Sequence, residues 1–454
     1  MMIRNNVKKG IRLVFVDFLG LLIGILNGFF LPMVFSIEGY ALFKAFSLYA
    51  AYAVVFSFGL SDGMYLMYGG KNESDMDASK TKAYYFFLMK LQAVVCVIMF
   101  ITAYLILKDM ALIFFGFFII PLQLIHFFRL YYRALGEFDK YSLLQSVLVV
   151  FELLNTLFIV FYIKSQAPHL FISIKIINHA VVAVLFSLLF FRKYRDVDSA
   201  GLKWPDYAAI MKPGFAVMMA DMVAVLIFSL DRWFVMVLFT DEAFAYYSFA
   251  VSILNLFLVF ITSVTNIFYS YISKKLGDDI FIRQLKNQVL IISSFFPVGF
   301  FILRDIIEVY LDKYSQALEV LWILILTLPF VSVINVIYIN LYKASKCIKA
   351  YLRKMTVILI VSFILNAAAY IAFKNTAAIA WATLISFILW YFYSSVDFPD
   401  IRITMREIIY LMVLNISLYV VRGAQLSLPL SVFVSMVVLI GNVLVFYKKD
   451  AYQL

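Results

Sequence analysis

Long apolar runs recur along the chain, and short polar segments that carry most of its charges separate them. A helix needs about 20 mostly apolar residues to cross the hydrocarbon core of a bilayer, and fourteen runs approach that length. The predicted spans are 12–33, 40–60, 84–106, 110–130, 142–163, 168–190, 214–238, 243–270, 287–303, 316–342, 355–373, 376–394, 407–422 and 428–447. The pattern predicts an all-α polytopic membrane protein with about 14 transmembrane helices, the first of them an uncleaved span.

The Lys and Arg residues alternate between rich and poor segments along this series of spans. If the N-terminus is cytoplasmic, 28 of the 38 Lys and Arg residues fall in inside segments and six in outside loops. The other four, Lys44, Lys90, Lys175 and Arg232, lie within spans. Cytoplasmic loops of membrane proteins collect positive charge. We therefore expect both termini to be cytoplasmic.

The composition excludes a soluble enzyme, a secreted disulfide scaffold and a disordered tail protein. The chain is 65% hydrophobic and 14% charged, with a mean hydropathy of +0.97, whereas soluble proteins are about 25% charged. Topology explains most of the +11 net charge, so we expect no nucleic-acid partner. The two cysteines and three histidines have no ligand spacing. We expect no metal site, no cofactor and no catalytic residue.

An internal repeat appears when the chain is shifted against itself by 204 residues. About 13 of 62 aligned positions are then identical, where chance in so apolar a composition gives roughly 5. The polar matches are Asp17 with Asp221, Glu38 with Glu242, and Lys71 with Lys275. Two unrelated amphipathic hairpins are the alternative explanation. Because six spans separate the copies, both insert the same way up, and the pseudo-twofold axis lies along the membrane normal.

The repeat predicts a division of the chain into two helix bundles and an extra C-terminal helix pair. The segments are an N-terminal six-helix bundle (1–195), a cytoplasmic linker (196–213), a C-terminal six-helix bundle (214–394), and an extra helix pair with a cytoplasmic tail (395–454). In transporters made of two such bundles the substrate path lies between the bundles.

The basic residues within the spans are candidates for substrate binding. An ionisable residue at the centre of a span costs about 2.5–3.5 kcal/mol on insertion scales, so it tends to face a cavity and serve a function. Lys90, Lys175, Arg232 and Lys44 together predict a cationic cavity for an anionic phosphate or diphosphate. The alternative is structural: Arg232 pairs with Glu152, and Lys44 reaches the outer surface.

The acidic residues of the spans are candidates for coupling or gating. They are Asp17, Asp221, Asp231 and Glu152. The repeat-related pair Asp17 and Asp221 could bind a coupling cation or proton, or could brace helix packing near an inner gate. Asp231 could instead pair with a Lys of another span.

Four stretches resemble the polysaccharide flippases of the MOP exporter superfamily. They are Phe58-Gly59-Leu60-Ser61-Asp62-Gly63, Ser229-Leu230-Asp231-Arg232-Trp233-Phe234, Phe268-Tyr269-Ser270-Tyr271-Ile272-Ser273-Lys274-Lys275 and Asn340-Leu341-Tyr342-Lys343-Ala344-Ser345-Lys346. Their order and the layout of spans are similar to those of Wzx-type O-antigen flippases along the whole chain. The extra helix pair is similar to that of lipid II flippases, where it forms a groove for the lipid tail.

The resemblance implies two six-helix bundles around a central cavity and translocation by alternating access. The implied substrate is an undecaprenyl-diphosphate-linked oligosaccharide, carried across the bacterial inner membrane during O-antigen or other surface polysaccharide biosynthesis. The implied partners are membrane lipids, a polysaccharide polymerase and a chain-length regulator. Asp231 and Arg232 match the family motif, whereas Lys90 and Lys175 rest on charge alone.

Two other functions stay open on the sequence. One is a cation-coupled drug or metabolite exporter of the same superfamily, although a cation-rich cavity suits cationic drugs poorly. The other is a membrane-bound polysaccharide polymerase or ligase. Such enzymes need a sizeable outer loop for their acid and base residues, and the longest predicted outer loop, 304–315, has about a dozen residues.

Overall fold

Helices make up nearly all of the regular structure. The computed structural model describes residues 19–20, 23–24, 26–69, 76–163, 168–345 and 347–451. Across these residues no β-strand occurs, and the predicted all-α class is confirmed. The chain divides into two compact units, Met1–Val225 and Leu226–Leu454.

Within the described residues, the first unit contains seven helices and most of an eighth. They are α1 (26–34), α2 (Ile37–Ala51), α3 (Leu60–Tyr68), α4 (Ala78–Ile101), α5 (Met110–Ala134), α6 (Phe138–Leu157), α7 (His169–Lys193) and α8 (Trp204–Ile227). A short 3-10 turn, Ala53–Ser57, joins α2 to α3, and π-helical turns extend α4 and α6 to Leu107 and Ile163.

The second unit contains the remaining helices. They are α9 (Leu230–Leu238), α10 (Asp241–Lys274), α11 (Asp279–Ser293), α12 (Gly299–Tyr310), α13 (Ala317–Ile325), α14 (Leu328–Val333), α15 (Asn340–Ala344), α16 (Ile348–Phe373), α17 (Thr376–Ser395), α18 (Met405–Gly423) and α19 (Leu428–Ala451). A π-helical turn, Ile334–Ile339, joins α14 to α15.

Short polar side chains begin many of these helices. Each accepts a hydrogen bond from a backbone N–H in the first turn, which has no partner within the helix. The capping residues are Ser36, Asp77, Asp109, Thr240, Asp278, Asn375 and Thr404. These caps explain why the polar segments of the sequence mark helix starts.

Helix α5 is the centre of the first unit and packs against α2, α3, α4, α6 and α7. Tyr85 of α4 stacks on Phe190 of α7, with ring centroids 5.0 Å apart, and its hydroxyl donates to Ser187 Oγ over 2.7 Å. Lipid tails are as apolar as these side chains, so close packing and interhelical hydrogen bonds hold such a bundle together.

Helices α10 and α13 are the centre of the second unit. They pack against each other, and α13 also contacts α12 and α17. Trp322 of α13 is fully buried, and its ring lies 4.9 Å from that of Phe300 on α12. The extra helices α18 and α19 pair with each other, and α19 packs on α11 and α12.

Ten helices in the described residues are long and apolar enough to cross a membrane. Helices α13 and α14–α15, bent by 42°, would make an eleventh span if counted as one. Residues 12–18, 21–22 and 25 of the predicted first span lie outside the described residues, and the second span is broken at the turn Ala53–Ser57. The number fourteen therefore stays a prediction.

Two predicted spans differ in shape from the sequence expectation. The span 287–303 is part of the longer stretch Asp279–Tyr310, which is interrupted around Pro297 because proline lacks a backbone N–H. The span 214–238 is broken between α8 and α9. Helix α8 already begins within the predicted linker 196–213. The domain boundaries and the pseudo-twofold stay predictions.

Candidate substrate and coupling sites

Asp231 is the most enclosed of the predicted site residues. It lies in the first turn of α9, just after the break in the seventh span, and is 6% exposed. Its Oδ2 accepts hydrogen bonds from Tyr247 of α10 at 2.8 Å and from Thr383 of α17 at 3.5 Å. Its Oδ1 accepts from the backbone N–H of Arg232 at 2.7 Å. Hydroxyl groups, and not a lysine ammonium, surround this carboxylate in the described residues.

A small cavity of about 20 Å³ adjoins Asp231. Its polar lining consists of Asp231, Asn255, Thr327 and Thr383. A space of this size holds about one water molecule. A carboxylate with amide and hydroxyl oxygens around a water-sized space can bind a protonated water molecule or a small cation.

Arg232 follows directly and is half-buried. Its Nη2 lies 3.4 Å from the carbonyl oxygen of Phe228, and its Nε is buried with no hydrogen-bond partner in the described residues. A guanidinium with an unused donor is suited to an anionic ligand.

Lys175 and Glu152 form an ion pair between α7 and α6. Lys175 Nζ lies 2.7 Å from Glu152 Oε1, and the side chains are 22% and 17% exposed. Asn27 of α1 also donates to Glu152 Oε1, at 3.2 Å, and accepts from Thr156 at 2.6 Å. The sequence prediction placed Lys175 among substrate ligands and Glu152 among coupling residues, but it did not predict that they pair or that Asn27 joins them.

The other two lysines have different surroundings. Lys90 lies on α4 with an exposed side chain and has no ion pair among the described residues. Lys44 of α2 is half-buried, with its Nζ 5.1 Å and 5.5 Å from the ring centres of Tyr40 and Phe43. Both distances are within the range of cation–π attraction, so Lys44 has a structural role whatever else it binds.

The repeat-related aspartates are described only in part. Asp17 lies outside the described residues. Asp221 lies on α8 with an exposed side chain, and its charge acts on a buried carboxylate, Asp62 of α3. Asp62 was not among the predicted site residues because it follows the second predicted span. An acidic residue directly beside a span was the signal that could have found it.

A buried ion pair anchors the extra helices and was also missed. Lys286 Nζ of α11 lies 2.8 Å from Glu407 Oε2 of α18, and both side chains are 2% exposed. Lys286 also donates to the carbonyl oxygen of Ile401 at 3.0 Å. The charge pattern had assigned Lys286 to a cytoplasmic segment, and no local signal pairs residues so far apart in sequence.

An apolar groove of about 460 Å³ lies beside α18. Side chains of α17 and α18 line most of it, including Trp381, Leu384, Met412 and Ile416. Its lining is almost wholly apolar, with Asn415 as the exception. Such a groove suits a hydrocarbon chain.

Comparison with known proteins gives matches at the level of structure only. No family model and no curated protein matches the sequence. The structure is similar to the lipid II flippase MurJ in an inward closed conformation, with a TM-score of 0.71, 16% identity, and coverage of 97% of this chain and 99% of MurJ. The fold is that of the MOP-superfamily transporters.

Multidrug transporters of the MOP fold are also similar, over a smaller share of the chain. An inward-facing MATE family transporter matches with a TM-score of 0.57, 12% identity, and coverage of 85% of this chain and 95% of its own. The MATE multidrug transporter DinF-BH, solved with a bound ligand, matches with a TM-score of 0.53 and 14% identity. That match covers 86% of this chain and 94% of DinF-BH. The MOP fold and the apolar helices make this chain a multi-pass membrane protein.

Proposed function

We propose that this chain flips an undecaprenyl-diphosphate-linked oligosaccharide across the bacterial inner membrane by alternating access, and is not an enzyme. The observation that carries the proposal is the coverage of the match to MurJ. That match takes in 97% of the chain, whereas the two multidrug transporters leave 14–15% unmatched. The unmatched share is about the size of the extra helix pair, and this difference supports a lipid flippase over a multidrug transporter.

The basic residues support an anionic headgroup. Arg232 has an unused buried donor, and Lys90 is an exposed cation on an apolar helix. Lys175 and Lys44 would also bind phosphate oxygens once Lys175 leaves Glu152 and Lys44 leaves the rings of Tyr40 and Phe43. Charge-assisted hydrogen bonds to phosphate oxygens are about twice as strong as neutral ones, so a diphosphate can compensate a lysine that has left its partner.

The acidic residues and the groove complete the proposed cycle. Asp231 with its water-sized cavity is the leading coupling site, and Asp221, Glu152 and Asp17 take coupling or gating roles. The apolar groove beside α18 receives part of the isoprenoid chain. Both termini are cytoplasmic, and the product passes to a polysaccharide polymerase and a chain-length regulator.

A deletion strain tests this proposal. Loss of the gene should deplete surface polysaccharide and leave lipid-linked oligosaccharide on the cytoplasmic leaflet. The wild-type gene should restore the polysaccharide, and the triple variant Lys90→Ala, Lys175→Ala, Arg232→Ala should not. The control Lys80→Ala, Lys140→Ala, Lys275→Ala removes three exposed charges from short-range ion pairs and should restore it. Restoration by the first triple variant would contradict the cationic site.

A cation-coupled exporter of drugs or metabolites is the second candidate, favoured by the carboxylate cavity at Asp231. It predicts that the deletion strain becomes sensitive to cationic dyes such as ethidium while its surface polysaccharide is unchanged. Sensitivity to dyes with unchanged polysaccharide would favour the exporter over the flippase. Depleted polysaccharide with unchanged dye sensitivity would support the flippase.

A further inference from the structure

Helices α3 and α8 of the first unit touch through their backbones. Gly63 of α3 lies against the carbonyl oxygen of Ile210, and Gly214 of α8 lies against the carbonyl oxygen of Gly59. A Cβ atom on any of these glycines would overlap the backbone of the other helix. Gly59 also has a φ of 77°, in the left-handed region that favours glycine. The contact therefore depends on glycine at each position.

A buried carboxylate lies beside this contact, next to Ser57, whose hydroxyl reaches Met218 of α8. Asp62 lies between Gly59 and Gly63 and is 5% exposed. Its Oδ2 is buried with no hydrogen-bond partner in the described residues. The Asp62 carboxylate accepts hydrogen bonds from the Ser57 hydroxyl and from the backbone N–H of Asp62 itself. A buried carboxylate with an unsatisfied oxygen is unfavourable when ionised, and a proton removes most of that free-energy cost.

The charges around Asp62 also oppose ionisation. Helices α5 and α8 pack on α3. The ionisable groups of α8 are Asp206, Tyr207, Lys212 and Asp221, and those of α5 are His126, Arg129, Tyr131, Tyr132 and Arg133. Asp221 is the one whose charge acts on Asp62, and it repels a second negative charge. Arg129 and Arg133 donate instead to Gln145 and Tyr141.

We infer that Asp62 is a proton-binding site, and that closing the contact between α3 and α8 takes up one proton there. The ligand is a proton, because protonation gives the unpartnered Oδ2 a neutral form and removes the buried charge. The sequence resemblance and the structural matches assign no role to Asp62.

The inference deepens the proposed function, because it names the ion that a closing step of the transport cycle would bind. The sign follows from linkage. The closed contact holds Asp62 protonated and the open form exposes it as a carboxylate, so closing is favoured at low pH. For one proton, the equilibrium constant for closing falls by up to about tenfold per pH unit between the pKa of Asp62 in the open form and its higher pKa in the closed form.

Alkylation of a buried cysteine measures the contact without transport. Ile210→Cys places a thiol where Gly63 meets α8, at a position that is 7% exposed. The full chain carries Cys96→Ala, keeps the exposed Cys347 as an internal reference, and is reconstituted in liposomes with no substrate added. The alkylation rate of the introduced thiol divided by that of Cys347 then reports opening, since the reference cancels the pH dependence of thiol chemistry.

The rate ratio should rise at least tenfold between pH 5 and pH 8 with Asp62 present. Asp62→Asn, a neutral side chain of the same shape, should keep the ratio low at both pH values. The matched control Asp206→Asn on α8 should behave like the parent. A ratio that does not change with pH, or a rise that survives Asp62→Asn, would overturn the inference.

A second variant keeps the test decisive if Asp62→Asn fails to fold. Asp221→Asn leaves Asp62 in place and removes its negative neighbour, so the rise in the ratio should move to lower pH. An unmoved rise would count against Asp62. Because no substrate is present, failure of the flipping proposal would leave these results unchanged.

Discussion

Single residues inside the spans differ in how their charges are satisfied. Lys175 is paired with Glu152, and Asp231 accepts from two hydroxyl groups and a backbone N–H. Arg232 keeps a buried donor without a partner in the described residues. A charge that is already compensated has to give up its partner before it can bind substrate. At this scale Arg232 is a better candidate for the first contact with a diphosphate than Lys175.

Variants of the Lys175–Glu152 pair distinguish a role in substrate binding from a role in stability. Lys175→Met leaves a mostly buried carboxylate without its ammonium, which should destabilise the protein by about 1–3 kcal/mol. Adding Glu152→Gln removes the stranded charge, so the thermal midpoint in detergent should recover. If Lys175 also binds substrate, the double variant will be stable and still fail to restore polysaccharide.

The opposite result would assign Lys175 a purely structural role. In that case the double variant would be stable and fully active. Lys140→Met, which removes an exposed lysine paired with Glu137 over 2.8 Å, is the control. It should change the thermal midpoint very little, since exposed ion pairs contribute about 0–1 kcal/mol.

At the scale of helices, two contacts depend on residues far apart in sequence. One is the glycine contact between α3 and α8 in the first unit. The other is the Lys286–Glu407 pair that joins α11 to α18 in the second unit. Each brings helix backbones or charges together in a way that periodicity along one helix cannot reveal.

Gly214→Ala should prevent α8 from reaching α3. The added methyl group would overlap the carbonyl oxygen of Gly59, and overpacking of this kind costs about 1–3 kcal/mol. We expect a lower thermal midpoint and, in the Ile210→Cys background, faster alkylation of the introduced thiol. Gly441→Ala on α19 is the control, since nothing lies within 4 Å of its added Cβ. Equal midpoints for the two variants would show that the backbone contact is unimportant.

Glu407→Gln should loosen the extra helices. It leaves the Lys286 ammonium buried and without its counter-charge, and breaking a buried pair in this way costs about 3–5 kcal/mol. The double variant Lys286→Leu, Glu407→Leu removes both charges and should regain most of the stability, as measured by thermal unfolding. A stable single variant, or a double variant no better than the single one, would contradict this account of the anchor.

At the scale of the whole molecule, the sequence predicted the all-α class, and its apolar runs fall on the helices seen. Charge in an apolar run was enough to name Asp231, Arg232 and Lys175 as candidates. It could not find Asp62, which lies just past a predicted span, or the pairing of Lys286 with Glu407. Tertiary contacts decide whether such residues are buried, and hydropathy along the chain reports only the average environment of a segment.

We propose that the substrate of the whole molecule is an oligosaccharide linked to undecaprenyl diphosphate. Purified protein in liposomes, supplied with a fluorescent oligosaccharide linked to undecaprenyl diphosphate, tests it most directly. A membrane-impermeant quencher added outside reports which leaflet holds the sugar. We predict that wild-type protein exchanges the diphosphate lipid between leaflets, that Arg232→Gln slows the exchange, and that ethidium does not compete. Exchange no faster than in protein-free liposomes, together with uptake of ethidium, would contradict the account.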